Sequence, residues 1–195
     1  MSNQEINREE QKKQTQKLVH RLVMAIDEEP DKFNNYYDLG ALLTRLNDFE
    51  QAEELFMKAL GIFEKKNDAK LKADSYLMLA QSYMKQKNYQ QAVAYGLTAH
   101  DLRPQDPEIN QAIGDSLLAL GEFKQAKNYY DLILKRHPGR ADTQFNRGLV
   151  AMVLGEPYQD YLNQSQQLDP DYYAQSEKRI SDIEHFLQKQ SGQDK

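Results

Sequence analysis

Apolar residues recur along most of the chain at intervals of three and four, the spacing that places side chains on one face of an α-helix. Tyr36, Leu39 and Leu43 form one such stretch. A second begins at Ala52, after a polar turn at 47–48. Similar pairs of stretches continue down the chain, so the pattern predicts a succession of units, each built from two amphipathic helices.

The pairs repeat with a nearly constant period. Three markers return: a small residue after a leucine-like one, an alanine in the second stretch, and a proline after it. They stand at Gly40, Ala80, Gly114 and Gly148, at Ala52, Ala92 and Ala126, and at Pro104, Pro138 and Pro170. Their intervals are 40, 34 and 34 residues, 40 and 34, and 34 and 32. The small residue lets the two helices of a unit approach closely, and the proline ends the second helix.

This unit resembles the tetratricopeptide repeat (TPR), whose 34-residue pattern is W-x2-L-G-x2-Y…A-x3-F…P. The first unit carries it as Tyr36-x2-Leu39-Gly40 followed by Ala52-x3-Phe56. The resemblance extends over about four fifths of the chain. It implies an all-α fold, a right-handed α-solenoid of TPR helix-turn-helix repeats with a leading helix and a C-terminal capping helix.

The repeat markers also divide the chain. We predict one solenoid domain over 13–190. Its parts are a leading helix at 13–29, repeats at about 33–66, 73–106 and 107–140, a degenerate repeat at 141–172 and a capping helix at 172–189, between polar tails at 1–12 and 190–195. Extra residues around 67–72 are expected to lengthen the helices that meet there. In the degenerate repeat, whose second helix is predicted to start at Pro157, Arg147 replaces a buried leucine, which indicates an exposed edge or a loosened unit.

Composition narrows the classes of partner. The net charge is -5 and the sequence pI is about 5.4, without a basic cluster, which argues against nucleic-acid binding. The chain has no cysteine, which excludes disulfides and thiolate metal sites. No apolar run is long enough to insert into a membrane, and the first residues lack an apolar signal segment. A cytoplasmic location is therefore expected.

Catalytic motifs are missing from the sequence. The four histidines lie in different units and form no HExxH pair, and there is no phosphate-binding glycine loop or GxSxG turn. Adjacent carboxylates such as Glu53-Glu54 are typical of solvated helix faces. We therefore predict that the chain is not an enzyme, and that it has no catalytic residues, no cofactor and no metal ligands.

The resemblance implies that the fifth, ninth and twelfth residues of each first helix, with their neighbours, line a concave groove for a protein or peptide partner. These positions are Tyr37, Ala41 and Thr44 with the adjacent Arg45 in the first unit, Leu77, Gln81 and Met84 with the adjacent Lys85 in the second, Gln111, Asp115 and Leu118 in the third, and Phe145, Leu149 and Met152, followed by Val153, in the fourth. The stripe becomes more apolar toward the C-terminal end. A contiguous apolar patch is typical of an interaction site, and methionines suit an adaptable surface.

Other interpretations of the same residues stay open. Leu77, Leu118 and Leu149 fit burial between neighbouring first helices. Phe145 and Met152 fit a surface covered by a second copy of the chain or by a terminal tail.

Function is also open between classes. The favoured function is a scaffold or adaptor that binds a peptide or helix. The alternatives are a self-associating structural protein and a dedicated chaperone for an amphipathic client. Asp115, at the centre of the groove, argues against capture of the acidic C-termini of heat-shock chaperones, because it would repel a carboxylate.

Overall fold

The structure is a computed structural model that describes residues 3–66 and 69–193, with side-chain surroundings described for 9–62 and 70–189. The helices are α1 (Asn3–Glu28), α2 (Phe33–Arg45), α3 (Phe49–Lys66), α4 (Ala69–Lys85), α5 (Tyr89–Leu102), α6 (Pro107–Leu120), α7 (Phe123–Leu134), α8 (Ala141–Leu154), α9 (Gln159–Leu168), α10 (Pro170–Ser176) and α11 (Lys178–Gln193). No strand occurs in the described ranges. The all-α prediction is confirmed.

The helices pack in the predicted pairs, α2 with α3, α4 with α5, α6 with α7 and α8 with α9, and each pair packs on the next. The repeated small residue explains the close approach within a pair. A Cβ atom on Gly114 would lie 2.7 Å from Cε1 of Tyr130, and one on Gly40 would lie 2.7 Å from Cε1 of Phe56. The aromatic ring of the second helix thus occupies the space that a side chain on the first would need.

The ends of α6 show how the sequence sets the helix boundaries. The Asp106 carboxylate accepts hydrogen bonds from the backbone N–H groups of Glu108 and Ile109, which caps the N-terminus. Pro107 is tolerated there because the first turn needs no backbone donor. At the other end, Gly121 has a φ of 80° and terminates the helix in the left-handed region.

The leading helix is longer than predicted. Helix α1 begins at Asn3, within the expected 1–12 tail, of which residues 1–2 lie outside the described part. Its first half is rich in Glu, Gln and Lys and lacks glycine and proline, so helix propensity is favourable throughout. Among its described side chains, those that pack on the apolar core of the solenoid are in its last turns, at Val19, Leu22 and Ile26.

The C-terminal region also departs from the predicted boundaries. In place of one capping helix at 172–189 there are two, because the helix is interrupted at Glu177. The first, α10, starts at Pro170, and the Asp169 carboxylate caps its N-terminus. The second, α11, follows the interruption. Helix α11 extends to Gln193, into the expected 190–195 tail, of which 194–195 lie outside the described residues. Helix α9 starts two residues after Pro157.

The inserted segment lengthens its flanking helices as predicted. Helix α3 continues to Lys66 and α4 starts at Ala69, four residues before the predicted repeat boundary at 73. Residues 67–68, between the two helices, lie outside the described part.

Arg147 is neither at an exposed edge nor in a loosened unit. Its side chain is 4% exposed. Nε donates to Asp131 Oδ1 at 2.6 Å, Nη2 donates to Glu156 Oε2 at 3.1 Å, and the guanidinium lies 4.8 Å from the centroid of the Tyr161 ring. A buried arginine with two carboxylates thus takes the place of the usual leucine. The sequence pattern could not reveal this, because one carboxylate comes from α7 and the other from the loop between α8 and α9.

Candidate partner-binding groove

The first helices of the four units form one continuous face. Helix α2 contacts α4, α4 contacts α6, and α6 contacts α8, whereas within the described residues no such contact joins consecutive second helices. A stack in which the first helices touch and the second helices diverge is curved, and its first helices lie on the concave side. The predicted groove is therefore the face of α2, α4, α6 and α8.

At the N-terminal end, a shallow cavity of about 320 Å³ lies between α2 and α4. It is lined by Ala41, Thr44, Arg45, Met78, Gln81 and Lys85. Arg45 and Lys85 are exposed, and neither forms an ion pair within the described part of the chain. This end of the groove is open and positively charged.

Two other predicted residues of this end contribute less to the open surface. Tyr37 is half-buried, with its ring centroid 5.4 Å from that of Phe33 and 6.4 Å from that of Phe56. Leu77 is buried in the core with Ile109 and Ala112 of the next unit. Leu77 thus lies between neighbouring first helices, which is the alternative interpretation of this residue.

The centre of the groove is a hydrogen-bonded carboxylate. Tyr130 Oη, Asn146 Nδ2 and Gln111 Nε2 all donate to Asp115 Oδ1, at 2.7, 2.7 and 2.8 Å. Gln111 is buried and accepts in turn from Thr143 Oγ1 at 2.6 Å. Burial raises the pKa of Asp115, although the three donors and Arg179 favour the ionised form. The network joins three helices around one anionic point.

At the C-terminal end the groove is covered by the chain itself. Phe145, Leu149 and Met152 are buried at 0%, 1% and 6% exposure, in a cluster completed by residues of α10 and α11. The Tyr172 and Tyr173 rings meet Phe145 edge-on, with centroids 6.0 and 5.7 Å away. These three predicted groove residues therefore do not form an open surface. Their apolar character is explained by the C-terminal helices that pack on them.

A cleft remains beside α11. It has a volume of about 550 Å³ and runs along the junction of α6 and α7. Its walls include Leu118, Phe123, Leu149, Ile183 and Phe186. Leu118 is half-buried, as is Met84, and both pack against the core of the middle units.

Sequence reasoning missed two contributors to this face. Met78 lines the N-terminal cavity one residue beyond the fifth repeat position. Arg179, on α11, lies 5.4 Å from the centroid of the Phe145 ring. The apolar stripe of α11 at Ile180, Ile183 and Leu187 was a usable signal, because it needs a surface to pack against.

Other chemistry is sparse within the described residues. No three His, Asp or Glu side chains are grouped there as metal ligands, and no helix there has both the length and the apolar character to cross a membrane. His100 Nδ1 lies 2.7 Å from Asn110 Oδ1, which links α5 to α6. Asn110 also donates to the carbonyl of Pro104 at 3.0 Å, so this histidine belongs to the packing between units.

Comparison with known proteins agrees with the repeat pattern. Two family models described as tetratricopeptide repeat match residues 31–105 and 83–146. Together these matches include the first three helix pairs and the beginning of α8. No curated protein sequence matches the chain.

Several solved structures share this fold. MamA superposes with a TM-score of 0.68 and 16% identity, over 86% of this chain and 95% of its own. TTC0263, a thermophilic TPR protein in Thermus thermophilus, gives 0.58 and 24% identity over 71% and 75%. YrrB, described as a TPR protein with an unusual peptide-binding site, gives 0.50 and 21% over 81% and 97%. At these identities the similarity shows the fold, and the predicted TPR solenoid is confirmed.

Proposed function

Since this chain belongs to the tetratricopeptide repeat family, a family of protein-interaction modules, we propose that it binds a peptide or helix of a partner protein in its concave groove and has no catalytic activity of its own. The observation that carries the proposal is the open cavity between α2 and α4, where two cations that form no ion pair with any described residue flank an uncharged floor. YrrB, of similar fold, is described as having a peptide-binding site, which supports the same use of a TPR surface here.

The cavity suggests the chemistry of the bound segment. Arg45 and Lys85 attract carboxylates, Gln81 offers an amide, and Ala41 and Met78 supply apolar contact. Asp115, further along the same face, repels carboxylates. The favoured ligand is therefore a segment with acidic residues at one end and neutral or cationic residues at the other.

The proposal is tested by reversing the two groove cations. The Arg45→Glu/Lys85→Glu variant should lose at least about tenfold in affinity for a partner captured by the wild-type chain, because two attractive contacts become repulsive. Affinity is measured by calorimetry with the purified partner. Both side chains are exposed, so stability should change by no more than about 0.5 kcal/mol per site.

A matched control makes the same charge change on the second helices. Lys58 and Lys124 are exposed on α3 and α7, away from the concave face, and Lys58→Glu/Lys124→Glu should bind like wild type. Equal affinity of all three proteins would exclude the α2–α4 cavity as the binding site. If the wild-type chain captures no partner and sediments as a dimer, the self-association alternative replaces the proposal.

A further inference from the structure

The C-terminal end of the groove already holds a helix, α11, which packs on α8. We propose that α11 is a displaceable occupant of a second, helix-binding part of the groove, and that its competitor is a partner helix carrying a cation beside an aliphatic stripe. This inference rests on the proposed function, since it specifies the chemistry of the ligand and the regulation of the same groove.

Helix α11 shows which chemistry the site accepts. Ile180 and Ile183 pack against the cluster of Phe145, Leu149 and Met152. Arg179 precedes them, with its guanidinium over the face of the Phe145 ring. A helix that fits here therefore presents a cation followed by aliphatic residues on one face, in the manner of helix-in-groove recognition.

The anionic centre of the groove is not fully used by α11. The three hydrogen bonds to Asp115 all reach Oδ1, and the residue keeps some exposure to solvent. Arg179 is close enough to favour its ionised form, yet the two described residues form no salt bridge with each other. A partner cation that reached Asp115 would add a contact that α11 does not make.

The apolar fit of α11 is also incomplete. The cleft of about 550 Å³ lies between α11 and the α6–α7 junction, and Phe186 on its rim is 41% exposed. Helix α10 contacts the same cluster through Tyr172 and Tyr173, whose rings pack edge-on against Phe145. A helix with a larger side chain facing the cleft would bury apolar surface that α11 leaves in contact with water.

Occupation of the groove in cis lowers the apparent affinity for a ligand in trans by the fraction of molecules in which the groove is vacated. A change that weakens α11 packing should therefore strengthen trans binding. A change on the opposite, exposed side of α11 does not weaken its packing and should leave the trans affinity unchanged.

The probe is a fluorescein-labelled synthetic peptide with the sequence of residues 176–193, titrated by anisotropy into the full chain. The Ile183→Asp variant should bind it at least about tenfold more tightly than wild type, because the variant's own α11 packs poorly. Ser181→Asp places the same new residue on an exposed position of α11 and should bind like wild type. A peptide carrying Arg179→Glu should lose at least about tenfold in affinity for the Ile183→Asp protein.

A second variant and a second measurement protect the test from a folding defect. Arg179→Glu in the full chain removes the cation and leaves Ile180 and Ile183 in place, and it should also bind the wild-type peptide more tightly than wild type does. Hydrogen exchange of the wild-type chain with excess peptide should accelerate in 178–189 and stay slow in α8.

The inference is overturned if both variants keep wild-type helicity and neither binds the peptide, or if added peptide leaves exchange in 178–189 unchanged. Such a failure would not affect the proposed function. That proposal depends on Arg45 and Lys85 of α2 and α4, which lie outside the contact between α11 and α8.

Discussion

The two ends of the concave face have the same repeat origin and different environments. Tyr37 and Phe145 occupy the same position of the first and fourth units, yet Tyr37 is half-buried on an open face and Phe145 is completely buried beneath α10 and α11. A repeat position therefore determines which way a side chain faces. Whether that direction leads to solvent or to core depends on which other segment returns to cover it.

The two ends of the concave face also differ in charge. Two cations border the N-terminal cavity and form no ion pair in the described part of the chain, whereas Asp115 lies in the middle of the face and the fourth unit contributes apolar side chains. A ligand lying along the face would therefore meet a sequence of environments that fixes its direction. Recognition of this kind favours orientation and specificity as much as affinity.

The largest effect on stability is expected at the repeat position that Tyr37 and Phe145 share. Phe145→Ala should lower the free energy of unfolding by about 3–5 kcal/mol, because it leaves a cavity in a closed cluster. Tyr37→Ala should lower it by about 1–2 kcal/mol, since its ring is partly in water already. Urea denaturation followed by circular dichroism measures both. Equal losses would show that α10 and α11 do not close the fourth unit in solution.

A smaller effect is expected where Arg147 replaces the leucine of the first unit. Arg147→Ala should cost about 2–3 kcal/mol, because it leaves a cavity and removes the partner of Asp131 and Glu156. Arg147→Leu restores apolar packing and should cost less than half of that. Thermal and urea unfolding of both variants test this order. Equal losses in the two variants would mean that the ionic contacts, and not the side-chain volume, stabilise this site.

The smallest effect on stability is expected at Asp115, at the centre of the groove between the two ends. Burial raises the pKa of Asp115 in the folded chain, so its protonated form stabilises the fold below the unfolded pKa of about 3.9 and this contribution is lost as pH rises through the folded pKa. Asp115→Asn does not titrate. The stability of wild type relative to this variant should therefore decrease as the pH is raised above about 4. A difference that stays constant over this range would show that the carboxylate titrates as it does in the unfolded chain.

Much of the fold could be predicted from the sequence because its determinants are local. Glycines at 40, 114 and 148 and the aromatic or leucine side chains that face them are separated by 14 to 16 residues, within one helix pair. A period of about 34 residues then stacks such pairs. The candidate groove could be predicted from the sequence only in part. Its direction is set by helical periodicity, and on that basis the positions on α2, α4 and α6 could be named in advance.

What the sequence alone determined is therefore the repeat, the paired helices and the face on which Tyr37, Asp115 and Phe145 lie. The tertiary structure determines which part of that face is open to solvent. The cover over Phe145 comes from residues 27 to 38 positions later, and Arg147 pairs with carboxylates 16 residues before it and 9 after it. Helical periodicity records the orientation of a side chain about its own helix axis. It carries no information about which distant segment packs against that side chain, because this depends on the packing free energy of the whole chain.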